Sequence, residues 1–273
     1  MAFDALLRAG VLGARDVEDL RFFGVSGALV PSDDAVVPAT PAAIRRGWDA
    51  LVLTVRRLRR EGFAAFAALG IHPRRIPLRG LEALLAELPD ALGRPEVAAL
   101  GAVGLAEGGE HEERVLERQL ELARELRLAV VVETPWRGKE RTTRRVLALL
   151  RAAELEPGKV LVAGADERTV RAIRACGYLA GLPLSAGPAR GRPDGVEAAV
   201  AIVRALGPEG LALASDAGVG GGDLLALPRA ADRLARAGLS EAVVRRVCGG
   251  NAIAFLGVDA ERPRRRGSPR RRS

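Results

Sequence analysis

Residues 97–135 read VAALGAVGL, then AEGGEHEERVLERQLELARELR, then LAVVVETP. The first run is small and apolar. The middle run places Val115, Leu116, Leu120, Ala123 and Leu126 at the spacing of one buried helical face. In the last run, Val130, Val131 and Val132 are β-branched and uninterrupted, as in a strand covered on both faces. Strand, helix and strand in this order form a right-handed βαβ unit with parallel strands. Any fold for this chain must accommodate that unit.

The same alternation runs through the chain. Apolar strands are expected at residues 2–6, 25–30, 63–71, 97–104, 128–133, 160–163, 178–184 and 211–214, with helices between them. Helices are expected at 78–88, at 142–153 with Thr142 or Thr143 as N-cap, and at 241–248 behind Ser240. Eight such strands in 273 residues predict an α/β (β/α)8 TIM barrel in a single domain. An open doubly wound sheet would carry a Gly-rich loop after its first strand, and none follows Leu6. The barrel is placed at residues 1–258. Residues 259–273 are read as a disordered Arg-rich C-terminal tail.

Charge needs care in this chain. The formal net charge is +8, but seven arginines lie between Arg262 and Ser273, and removing them leaves one net positive charge on the first 261 residues. Arginines number 40 and lysines two, Lys139 and Lys159, a bias that does not by itself indicate phosphate recognition. The tail is a candidate for weak binding to nucleic acid or an acidic surface. Two unpaired-looking cysteines, Cys176 and Cys248, suit a reducing compartment. No secretory leader and no membrane span are read, so a cytoplasmic location is expected.

Barrel chemistry sits at the C-terminal strand ends. These ends carry Arg8, Ser32 with Asp33 and Asp34, His72, residues 101–104, Glu133, residues 163–166 and Asp216. The phrases GIHPRRIP at 70–77, GAVGL at 101–105, QLELARELRLAVVVETPWRGKERT at 119–142, VLVAGADERTV at 160–170 and SDAGVGGGDLLALPRAA at 215–231 resemble the TatD-related metal-dependent hydrolases of the amidohydrolase superfamily. CGGNAIAFLG at 248–257 extends the resemblance over nearly the whole chain. It implies metal-dependent ester or phosphodiester hydrolysis with one or two divalent ions, Zn or Mn.

The same resemblance implies metal ligands at positions this chain fills otherwise. Leu6 and Arg8 stand where the family's first-strand histidines belong, Ala102 where its bridging carboxylate belongs, Glu133 and Gly164 where the histidines of strands five and six belong. Asp216 matches the family's strand-eight aspartate, and His72 its Gly-x-His-Pro histidine. A zinc-type site needs at least three protein ligands converging on one point and an open position for water. Leucine, alanine and glycine side chains donate nothing, and Arg8 would set a cation against Glu133 or Asp216. The sequence therefore predicts a pseudo-enzyme that holds no metal and binds a small molecule or protein partner. Asp216 is its residual candidate catalytic residue, His72 and Arg8 are candidate substrate-binding residues, and Glu133 and Asp216 are residual candidate metal ligands. The alternative is an active hydrolase with a metal site rebuilt from His72, Glu133 and Asp216, with help from Glu107 or from Asp33 and Asp34. His111, Cys176, Cys248 and the glycine-rich stretch 218–223 are read as surface, core filler and loop.

Overall fold

A computed structural model describes residues 2–32, 39–185, 195–218 and 222–259. Asp33, Asp34 and the Arg262–Ser273 tail lie outside the described residues. Eight parallel strands follow one another around a single sheet: β1 (Ala2–Asp4), β2 (Val25–Pro31), β3 (Ala64–Leu69), β4 (Val97–Gly104), β5 (Ala129–Glu133), β6 (Val160–Ala163), β7 (Leu179–Pro183) and β8 (Leu211–Ala214). The helices α1 (Ala14–Phe22), α2 (Pro41–Arg60), α3 (Leu81–Leu92), α4 (Glu110–Glu125), α5 (Lys139–Ala152), α6 (Val170–Ala175), α7 (Gly195–Leu206) and α8 (Ala226–Arg236) alternate with them. Two short helices follow, α9 (Glu241–Arg245) and α10 (Asn251–Leu256), separated by a π turn. This is the single-domain barrel that the alternation of strands and helices predicts.

The seam between β8 and β1 is made just past the strand ends. Ala5 N–H donates to Leu213 O (3.2 Å), Asp216 N–H to Leu6 O (3.0 Å) and Arg8 N–H to Ala217 O (2.9 Å). Between them, the Ser215 N–H donates to the Asp4 carboxylate (3.0 Å) instead of to a backbone carbonyl. Gly218 follows in the left-handed region at φ +105°, and a Cβ on it would lie 1.9 Å from Arg8 O, so no other residue fits this crossing.

Strand side chains alternate between lumen and helix layer. Leu29, Phe66, Ala68, Ala99, Ala129, Val131, Leu161, Ala163, Ala212 and Ala214 form one buried cluster, and their neighbours Val30, Val130, Val132, Val160 and Val162 belong to another, packed under the helices. The lumen is filled mainly by alanines and by Phe3 and Phe66, whose ring centroids lie 6.2 Å apart. Ala252 and Phe255 of α10 complete this inner cluster, so the last helix plugs the barrel.

Three helix boundaries differ from the sequence expectation. α5 starts at Lys139, because Gly138 turns at φ +60° and its carbonyl receives the Thr142 N–H (3.0 Å); Thr142 and Thr143 are buried inside the helix and cap nothing. α3 starts later, at Leu81, and runs through Pro89, which removes one N–H donor without ending the helix. The segment expected as one helix at 241–248 is α9 followed by the π turn at Arg246–Gly250, with Ser240 as its N-cap.

α2 places the region used below. Thr40 caps it by accepting the Ala43 N–H (3.2 Å), Pro41 fits its first turn, and Trp48, Leu51, Val52, Val55 and Leu58 form its buried face. Trp48 Nε1 donates to Gly70 O at the end of β3 (3.0 Å).

A Phe3→Ala exchange removes the larger part of the lumen packing at β1 and leaves a cavity. It is expected to cost about 3–5 kcal/mol, read as a fall in the urea midpoint with an unchanged slope.

Candidate functional site

The lumen alternation continues past the strand ends, and this brings the polar side chains together. Ala129 and Val131 point into the barrel, so Glu133 does as well. Ala212 and Ala214 put Asp216 on the same face, Phe66 and Ala68 lead by steps of two to His72, and Leu6 leads to Arg8. Four side chains that are far apart in sequence meet at one rim.

Arg8 is at their centre. Its Nε donates to Asp216 Oδ1 (2.7 Å) and its Nη2 to Glu133 Oε1 (3.1 Å). Glu133 Oε2 accepts from His72 Nε2 (3.1 Å). His72 Nδ1 accepts the Arg74 N–H (3.2 Å), which assigns the imidazole proton to Nε2 and makes His72 the donor to Glu133. The network is partly buried: Arg8 is 13% exposed, Glu133 23% and Asp216 36%. Burial alone would push the Glu133 carboxyl upward, but the hydrogen bond from His72 and the neighbouring Arg8 and Arg74 cations hold it below its usual range.

Several groups fix this arrangement. Gln119, fully buried on α4, accepts the Ile71 N–H at Oε1 (2.7 Å) and donates from Nε2 to Ile71 O (3.2 Å), locking the backbone before His72. Asp216 itself sits in the left-handed region at φ +51°, a conformation aspartate tolerates better than most residues. Beneath Arg8, the buried Asp4 accepts the N–H groups of Leu6 (3.1 Å) and Ser215 (3.0 Å). Its burial outweighs these bonds, and the carboxyl is pushed up to about 7.

A second cation stands at the neighbouring rim. Lys139 is buried, and its Nζ donates to Thr134 Oγ1 (2.9 Å) and Thr134 O (3.3 Å) while lying 4.9 Å from the Trp136 ring centre. A Cβ placed on Gly164 would lie 3.1 Å from that ammonium, so Lys139 occupies the space above the end of β6. The sequence reading passed over Lys139, Gln119 and Asp4. The available signals were a lysine retained in a chain of 40 arginines, and a glutamine and an aspartate on faces that are otherwise apolar.

A TatD related DNase family model matches residues 17–186, more than half of the chain. The chain belongs to the TatD family. An uncharacterised metal-dependent hydrolase of Methanocaldococcus jannaschii is 27% identical over 168 residues, which are 61% of this chain and 66% of that protein. The chain thus spans slightly under two thirds of that relative. The crystal structure of a TatD-like protein from Archaeoglobus fulgidus superposes with a TM-score of 0.77 at 26% identity, covering 94% of this chain and all of that one. A lactonase from Listeria monocytogenes shares the fold with a TM-score of 0.64 at 13% identity, over 93% of this chain and 94% of that one.

The TatD family is one of metal-dependent hydrolases, and a divalent ion requires several donor atoms of the rim residues to converge on one point. They do not fit it. The oxygens of Glu133 and Asp216 that would have to converge on an ion are both turned onto one guanidinium group. Leu6, Ala102 and Gly164 offer no side-chain donors. Among the described residues no three His, Cys, Asp or Glu side chains are grouped as a metal site. Glu107 is not grouped with His72, Glu133 and Asp216 among the described residues, and its backbone N–H is held by Glu112 (3.1 Å).

Arg8→Met leaves Glu133 and Asp216 facing each other without their cation. The expected loss is about 2–3 kcal/mol, below the usual cost of breaking a fully buried pair because Asp216 is partly solvated. Chemical denaturation at pH 7 measures it. Glu133 and Asp4 act oppositely with pH. Glu133, held low in the fold, contributes stability at neutral pH that is lost as pH falls through its folded value. Asp4, raised from 3.8 to about 7, makes the fold lose stability as pH rises between those values. Asp4→Asn keeps an oxygen acceptor for the two N–H groups and is expected to flatten that rise-dependent loss in a series of melts between pH 4 and 7.

Proposed function

We propose that this TatD-family barrel works as a binding protein and has given up the family's metal-dependent hydrolysis. The observation that carries the reading is the Arg8 guanidinium between Glu133 and Asp216. A divalent ion in a hydrolase of this kind supplies positive charge and lowers the pKa of its bound water. A guanidinium group supplies charge and N–H donors but coordinates no water and stays protonated. In this reading the ligand positions at Leu6, Arg8, Ala102 and Gly164 have been replaced, and the remaining carboxylates balance a cation that belongs to the chain. The rim can still orient an anionic or hydrogen-bonding ligand through Arg8, His72 and Lys139. It has no activated water with which to cleave one.

A second reading is favoured by one observation: His72, Glu133 and Asp216 do belong to a single network. If Arg8 swung away, one nitrogen and two carboxylates would be available for a rebuilt hydrolase site. Elemental analysis separates the two readings. The protein is expressed with added zinc and manganese, then dialysed extensively. The binding reading expects no stoichiometric metal and no phosphodiester or ester hydrolysis above the rate of a Glu133→Ala variant. A stoichiometric metal that Asp216→Ala removes, together with hydrolysis that disappears with it, would overturn that reading.

A further inference from the structure

The Arg8 rim lies at the C-terminal ends of the strands, and the opposite end of the barrel carries a different surface. α1 finishes there on Phe22, with Phe23 and Gly24 leading into β2, and the Ala2 N–H at the start of β1 donates to Gly24 O (2.9 Å). Arg21 Nη1 donates to Glu61 O just past the end of α2 (3.2 Å), which fixes the two helix ends side by side. α10 closes the same end of the barrel. Asn251 Nδ2 donates to Pro208 O and to Leu211 O (both 2.7 Å), where β8 begins. Apolar side chains are left outside the core at this end. Phe22 is 83% exposed and Phe23 50%, with ring centroids 5.1 Å apart and planes at 87°. Ile253, Leu256 and Val258, on and just after α10, are only partly buried. Asp259 follows, and the sequence beyond it carries seven arginines and no acid between Arg262 and Ser273.

We infer that this end of the barrel docks on an anionic lipid surface, with Phe22 and Phe23 entering the headgroup layer and the arginines after Asp259 meeting the lipid phosphates. Charge complementarity selects the partner. The first 261 residues carry one net positive charge, so the attraction comes from the arginine segment, which is tethered at the end that bears the phenylalanines. Each arginine close to an anionic bilayer strengthens binding by about fivefold. A basic segment and a small apolar patch are each weak anchors, and stable attachment takes two such signals together. Among the described residues no helix is long and apolar enough to cross a membrane, and the docking inferred is peripheral. A nucleic acid offers the same phosphate charge, but its bases would have to stack on the rings. Neighbouring stacked bases have parallel planes, and the near-perpendicular Phe22 and Phe23 rings cannot both lie on such a stack. A headgroup layer sets no such condition.

The inference is independent of the state of the Arg8 rim, which lies at the other end of the barrel. The test is co-sedimentation of the full chain with phosphatidylcholine vesicles containing about 30% phosphatidylglycerol, and with vesicles of phosphatidylcholine alone, at about 50 and about 500 mM salt. The anionic vesicles are expected to bind the protein at least about tenfold more tightly than the neutral ones at the lower salt, and to lose most of that advantage at the higher. Phe22→Ser with Phe23→Ser is expected to weaken binding to the anionic vesicles at least about tenfold with the melting temperature retained, since burying one phenylalanine contributes about that factor or more. If the double exchange destabilises the fold, Phe22→Ser alone, at the more exposed position, is expected to weaken binding at least about threefold. Exchange of the seven tail arginines for glutamine is expected to remove the salt dependence. Equal binding to both kinds of vesicle, or binding to anionic vesicles indifferent to the phenylalanine exchanges, would overturn the inference. So would tighter binding to a short DNA duplex that persists in the phenylalanine variants, or a dimer that Phe22→Ser dissociates in place of any vesicle binding.

Discussion

Two carboxylates brought together at the rim of a parallel barrel must share a counter-charge or repel each other. Here the counter-charge is the guanidinium of Arg8, carried on the first strand's extension and bonded through Nε and Nη2 to Asp216 and Glu133. The geometry of the whole rim follows from satisfying this one cation. Glu133 has its second oxygen left for His72, His72 is oriented by the Arg74 N–H, and Gln119 fixes the backbone between β3 and His72. The seam bonds made by the backbones of Asp216 and Arg8 keep the two strands that bear the pair in register.

Much of this was legible in the sequence, because the physics involved is periodic. Alternating apolar segments gave all eight strands, and steps of two along β5 and β8 put Glu133 and Asp216 on the lumen side. The opposition of Arg8 to these carboxylates came from the family resemblance, which sets Arg8 where a metal-binding histidine belongs. Other features were not legible because they depend on contacts between distant segments. Gln119 lies on a helix face that reads as a polar interruption, and only the fold shows the Ile71 backbone beside it. Asp4 stands out as a charge in an apolar strand, but only the fold shows that it replaces a backbone acceptor in the β8–β1 seam. The start of α5 was misplaced because threonine is a good cap, whereas the turn here is set by the positive φ of Gly138.

Lysine and arginine divide their duties in this protein. Arginines cover the surface and make its exposed ion pairs, such as Arg144 with Glu140 and Arg236 with Asp232. Pairs of that kind contribute little to stability. At the end of β6 a Cβ on Gly164 would lie 3.1 Å from the Lys139 ammonium, so the glycine leaves that space to the lysine. Lys139 fills it while bonding Thr134 and lying against Trp136. The rim therefore holds cations of different shape, among them the flat, forked Arg8 and the compact Lys139.

The plug made by α10 ties the order of synthesis to the order of folding. Phe3 belongs to the first of the eight barrel strands to be synthesised, yet its inner surroundings include Phe255 and Ala252, from the last helix. The β1 edge likewise waits for Leu213 and Ser215 before its seam can form. Contacts this distant in sequence are slow to form and leave apolar surface uncovered meanwhile. The nascent barrel thus remains an open, sticky arc of strands until almost its entire length has been translated, and its dependence on chaperones should be greatest during that interval.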